Sequence, residues 1–183
     1  MKVKQLTAIK RIVMPSGKKA NCFSGTFFGT FFSADNGKFT ATDSVSLVMF
    51  DNITDEELSV IQSDSDYYWK DNSNCGTIPK CNRFFDTFDN DFHSVYSDEP
   101  SRFEMLALSE IEAIYKDAKQ CDKEYFRTIR NGVRFNASYL RNICNALDAN
   151  PDSKKVGVYY GNSMSPIVVY GGRGRGLLMP VRM

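Results

Sequence analysis

The feature that most restricts how this chain can fold is a pattern present twice: an amphipathic helix followed by short antiparallel strand candidates, once near each end. In residues 6–13 the spacing of Leu6, Ile9 and Val13 places an apolar stripe on one helical face, with Lys10 and Arg11 turned elsewhere. Met14-Pro15-Ser16-Gly17 ends that helix. From Cys22 onward Phe23, Thr26, Phe27, Phe28, Thr30, Phe31 and Phe32 favour strand, and Asp35-Asn36-Gly37-Lys38 carries the Asn-Gly pair of a tight hairpin. A second strand follows from Phe39, and in residues 44–50 Val45, Leu47 and Met49 alternate with smaller or polar neighbours.

The second copy opens with a strand over 132–136 and a helix over 137–147 that buries Leu140, Ile143 and Leu147, stopped by residues 148–152 with Pro151. Strand candidates at 155–160, 166–170 and 176–182 follow, joined by Gly161-Asn162-Ser163 and Gly171-Gly172-Arg173-Gly174-Arg175. The two copies share pattern more than sequence. They predict an α+β domain of two helix-plus-meander half-repeats, residues 1–51 and 132–183, around an insertion at 52–131. Within the insertion, residues 51–101 are dense in Asp, Asn and Ser with isolated aromatics such as Tyr67, Trp69 and Phe84, which reads as irregular structure. Ser109 caps a helix near 109–120 that buries Ile111, Ile114 and Ala118.

Charge is distributed unevenly. The sum is only +1, but residues 51–100 hold twelve acids against Lys70, Lys80 and Arg83, a net of −9 that leaves +10 for the rest, and the first 34 residues contain no acid. Such a separation matters more than the sum for partners that carry charge. No stretch approaches a membrane span and the N-terminus lacks the apolar core of a signal peptide, so the expected location is cytoplasmic, with no membrane partner. Cys22, Cys75, Cys81, Cys121 and Cys144 lack zinc-site spacing and read as reduced thiols. With His93 as the single histidine, and no Gly-rich phosphate loop or nucleophile motif, neither catalysis nor a metal or other cofactor is expected.

Several segments resemble the bacterial sliding-clamp family, the β subunit of the replicative DNA polymerase. Val133-Arg134-Phe135-Asn136-Ala137-Ser138-Tyr139-Leu140 is similar to the family's strand-to-helix junction, and Asn145-Ala146-Leu147 to the end of that helix. Ser163-Met164-Ser165-Pro166 resembles its Ser-Pro strand, and Leu178-Met179-Pro180-Val181-Arg182-Met183 its terminal Met-Pro-x-Arg-Leu. Gly37-Lys38-Phe39-Thr40-Ala41-Thr42-Asp43 resembles the segment leading into Ala-Thr-Asp-Gly-x-Arg-Leu, with Ser44 and Ser46 replacing the family's Gly and Arg and Leu47 retained. The likeness covers about half of the chain, and a family subunit has three such domains where this chain has room for one.

The resemblance implies a minimal or phage-type homologue of the DNA-clamp fold, a processivity factor in DNA replication that forms a homo-oligomer around double-stranded DNA without reading its sequence. A ring of six domains would take about six copies. It further implies that the helices face DNA, so Lys4, Lys10, Arg11 and Arg141 are expected at phosphates, joined by Arg173 and Arg175 if the Gly-Arg run is a flexible loop and not a plain hairpin connection. A partner groove for apolar peptides of polymerases or clamp-loader proteins would use Thr42, Asp43, Leu47, Leu178, Met179, Pro180, Val181, Arg182 and Met183. The alternative is a clamp-fold module that binds protein without encircling DNA, as a decoy or regulator of a replication complex.

Overall fold

The computed structural model describes residues 1–13, 29–33, 38–42, 45–50, 52–62, 103–121, 126–128, 132–160 and 165–181. Among the described residues seven strands form one antiparallel sheet. The first three are β1 (Gly29–Ser33), β2 (Lys38–Thr42) and β3 (Ser46–Phe50), and the last three are β7 (Lys155–Tyr159), β8 (Ile167–Gly171) and β9 (Gly174–Leu178), with β4 (Phe103–Ala107) beyond them. Their spatial order is β1-β2-β3-β9-β8-β7-β4. The two meanders are thus arranged symmetrically about the β3/β9 pair, where Val48 faces Gly176. That arrangement is what a duplicated half-repeat predicts.

One face of the sheet carries helices α1 (Val3–Val13), α3 (Leu108–Cys121) and α4 (Ala137–Leu147). Helix α4 lies in the middle, packed on α1 on one side and α3 on the other. Ala8, Ile9 and Ile12 of α1, Ile111 and Ala118 of α3, and Leu140, Ile143 and Leu147 of α4 share one core with Phe39, Phe50, Val158, Val169 and Leu178 of the sheet. At ~0.8 kcal/mol per buried methylene, this common core is what holds the helices to the strands. On the opposite face Leu47, Leu177, Val168, Tyr159 and Phe103 stand in a continuous row of register partners across five strands.

Local chemistry sets the ends of the helices. At α1 the Lys2 N–H donates to Gln5 Oε1 at 2.9 Å, while Gln5 Nε2 reaches Ala146 O at 3.2 Å and ties α1 to α4. Asn136 caps α4, its Oδ1 accepting from the N–H groups of Ser138 and Tyr139 at 2.9 and 3.3 Å.

Two expectations change. The 52–131 segment, expected to be irregular apart from one helix, also contains α2 (Asp55–Gln62), β4 and the strand β5 (Phe126–Thr128), which pairs with β6 (Arg134–Asn136). Thr54 and Glu57 form a reciprocal cap that starts α2: Thr54 Oγ1 accepts from the Glu57 N–H at 3.2 Å, and the Thr54 N–H donates to Glu57 Oε2 at 3.4 Å. The last strand is Gly174–Leu178, not 176–182, and it is the middle strand of the sheet. The Gly-Arg run is the plain hairpin connection of the two readings open to it, because Gly171 pairs with Gly174 and only Gly172-Arg173 turns. Gly172 and Arg173 N–H groups donate to Asp148 and Leu147 carbonyls, both at 3.0 Å, satisfying acceptors that the end of α4 leaves open. A Cβ at Gly171 would lie 2.4 Å from Leu147 Cβ, so the docking requires glycine. The strand candidates at 22–28 and residues 34–37 of the hairpin lie outside the described residues, although Ser33 opposite Lys38 is the register such a connection closes.

Candidate nucleic-acid and peptide surfaces

Helices α1 and α4 contain no acidic residue. Gln5, Ala8, Ile9 and Ile12 bury one side of α1, so Lys4, Thr7 and Arg11 stand exposed on successive turns of the other, facing away from the sheet. Lys10 is also on α1, and its side chain lies outside what is described. Lys2, just before the helix, bonds Asp148 Oδ2 at 2.5 Å. Burial would raise the Asp148 carboxyl, but that bond, the Ala149 N–H and the charges of Lys2 and Lys4 hold it below the usual carboxylate range. On α4, Arg141 is partly exposed; its Nε donates to Glu112 Oε2 of α3 at 2.5 Å and its guanidinium sits 4.4 Å from the centre of the Tyr115 ring.

The remaining two arginines sit at the β8–β9 turn, away from the helix face. Arg175 belongs to β9 and lines, with Arg173, an open cleft of about 260 Å³. Arg173 grips Glu57 of α2 with both terminal nitrogens, at 2.8 and 2.5 Å, and the N-terminal amine of Met1 meets Glu57 Oε1 at 2.9 Å. Arg173 therefore joins the turn, the end of α4 and α2, a structural task that sequence spacing could not show. The Arg173 bonds, with the Met1 amine and the Thr54 N–H, pull the Glu57 carboxyl down to about 2 against the cost of its burial.

A depressed folded-state value stabilises above the unfolded carboxylate's ordinary range, and that stability is lost as pH falls from about 4.5 toward 2. Glu57→Gln is expected to cost about 2 kcal/mol at neutral pH, less than the full shift implies because solvent still reaches the site. Thermal melts at descending pH should then show the wild type losing its advantage over the variant below about pH 4.5. Parallel curves would remove Glu57 from the account.

The peptide-groove candidates meet in one chain. Thr42 pairs with Leu47 and Ser46 with Leu178, and the Met179 N–H donates to Val45 O at 2.8 Å, so the Thr42 and Met179 segments are neighbours at one end of the β2-β3-β9 ladder. Val181 N–H continues to Arg134 O at 2.7 Å. Met179 and Val45 are 41% and 38% exposed, with Pro180 and Val181 half-buried beside them. Leu178 points into the helix-side core and is fully buried; Leu177, one residue earlier, shares the outer face with Leu47, and both are nearly covered. The exposed apolar step is thus Val45 with Met179. Strand alternation identifies Val45 as apolar but gives no sign that it sits beside the C-terminal segment. The Thr42 side chain, Asp43, Arg182 and Met183 lie outside the described residues.

Among the described residues no group of three or more His, Cys, Asp and Glu side chains is placed to hold a metal, and no helix is long and apolar enough to cross a membrane. Cys121 and Cys144 are free thiols, the latter buried.

No family model matches the chain, and no curated protein does. Solved structures do. The β subunit of DNA polymerase III from Thermotoga maritima superposes with a TM-score of 0.55 at 11% identity, covering 99% of this chain and 63% of its own. The DNA polymerase III β chain from Streptococcus pneumoniae TIGR4 gives 0.49 at 14% identity, covering 100% and 64%. The Helicobacter pylori β clamp bound to a DNA ligase peptide gives 0.46 at 12%, covering 97% and 63%. The chain has the DNA-clamp fold, an α+β fold of two helix-and-meander halves, and spans under two thirds of the length of these structures.

Proposed function

We propose that this chain is a sliding-clamp-like processivity factor: a non-catalytic protein that associates with further copies around double-stranded DNA and holds a polymerase or loader-type partner there. The observation that carries this reading is the pair of acid-free helices α1 and α4, side by side on one face of a single sheet, with Lys4 and Arg11 directed away from that sheet. Long basic side chains on a regular surface bind phosphates without reading bases, which is what movement along DNA needs. The exposed Val45–Met179 step supplies a separate apolar surface for a partner peptide, since a methionine at such a site adapts to varied side chains.

A second reading, a protein-binding module that does not encircle DNA, is favoured by the commitment of Arg141 to Glu112 and Arg173 to Glu57, which lowers the charge available to phosphates. Light scattering with nicked circular and linearised DNA separates the two. A clamp gives a mass of several copies and stays on circles but leaves linear DNA, and Lys4→Glu with Arg11→Glu abolishes the retention. A monomer indifferent to DNA overturns the ring and leaves the module.

A further inference from the structure

Helix α3 belongs to the segment between the two half-repeats, yet it lies in the same layer as α1 and α4 and shares their core through Ile111 and Ala118. The bridge to α4 is specific: Glu112 holds Arg141 by its Nε, and Tyr115 lies under the guanidinium. All three acids of α3 are engaged within the chain. Glu110 Oε2 accepts from the Ala107 N–H at 2.6 Å, Glu112 takes Arg141, and Asp117 takes Arg127. Lys116 and Lys119 are exposed and meet no carboxylate among the described residues. Their spacing places them with Glu112 on the side of α3 that adjoins α4, whereas Asp117 lies toward the opposite flank.

We infer that α3 is a third nucleic-acid-facing helix, on which Lys116 and Lys119 contact phosphates and extend across α4 the basic surface begun by Lys4 and Arg11. This rests on the DNA reading above and adds to it a surface that the duplicated half-repeats alone do not contain. Neutralising the α3 acids internally leaves Lys116 and Lys119, which meet no acid among the described residues, as the part of α3 that a polyanion meets, and the Glu112–Arg141 bridge fixes their height relative to α4. Fixed bases lose less freedom on binding than bases on a detached helix.

The test is the salt dependence of affinity for a short blunt-ended DNA duplex, measured by fluorescence anisotropy on the full chain. Lys116→Ala with Lys119→Ala should lower the slope of log affinity against log salt by about 1.8, at about 0.9 per phosphate contact, and weaken binding roughly tenfold at moderate salt. Its melting temperature should stay that of the wild type, because both side chains are exposed. Lys4→Ala with Arg11→Ala serves as the reference. If that pair lowers the slope and the α3 pair leaves it unchanged, α3 is not part of the surface and the DNA reading survives. If neither pair moves it, the DNA reading fails and takes this inference with it.

Discussion

Gly176→Val is expected to destabilise the protein by about 3 kcal/mol or more, seen as a fall in melting temperature of roughly 6–12 °C for a chain of this size. Local propensity argues the other way, since glycine weakens a strand and valine favours one. Packing decides the sign. Gly176 lies on β9 in the middle of the sheet, paired with Val48 and Val169, directly beneath α4. A Cβ there would stand 2.3 Å from Ile143 Cγ2, 3.1 Å from Leu47 O and 3.4 Å from Leu147 Cδ1. Neither a branched methyl on a buried helix nor a strand carbonyl can yield cheaply, so α4 would have to rise from the sheet. Ile143→Ala should rescue part of the loss in the double variant although it costs stability alone, a non-additivity that identifies the contact. A valine variant that melts with the wild type would mean that α4 is not seated on β9.

The same position shows what the sequence can and cannot disclose. Helix α4 is legible residue for residue over 137–147, because Leu140, Ile143 and Leu147 hold one face and Pro151 follows its end, whereas the Asn136 cap emerges only from the structure. Strands β1 to β3, β7 and β8 are legible through alternation and turn residues, and the symmetric sheet follows from their repetition. Thr54-Asp55-Glu56-Glu57 also carried a readable signal, a capping pattern obscured by the acidity around it. What stays hidden depends on long-range contact. Nothing near Arg173 in the chain announces Glu57, 116 residues away, and nothing near Arg141 announces Glu112. The Gly-Arg turn reads as a hairpin connection, but nothing in it announces that its N–H groups dock on the end of α4. Likewise, which of Leu177 and Leu178 faces outward is a question of register, and a shift of one residue reverses the answer.

That register bears on the partner surface, where Met179→Asp is expected to weaken binding of a labelled short peptide bearing two large apolar side chains by at least tenfold, or about 1.4 kcal/mol. Leu178 cannot supply such contacts while it lies fully buried against the helices. Met179 can, because the chain leaves β9 there, its N–H held by Val45 O, with the side chain 41% exposed. Beside it Val45 is exposed and Pro180 fixes the backbone, so a partner side chain would meet a thioether and a branched methyl surface on a rigid base. An aspartate would place a charge where the peptide must exclude water, at a cost that no nearby hydrogen bond offsets. The fold should be indifferent to the change because the residue lies beyond the last strand, and an unaltered melt would confirm that. Val45→Asp should then give a similar loss if the two residues form one surface. Binding unchanged in both variants would move the peptide site away from this end of the sheet and leave the helix face as the functional surface to pursue.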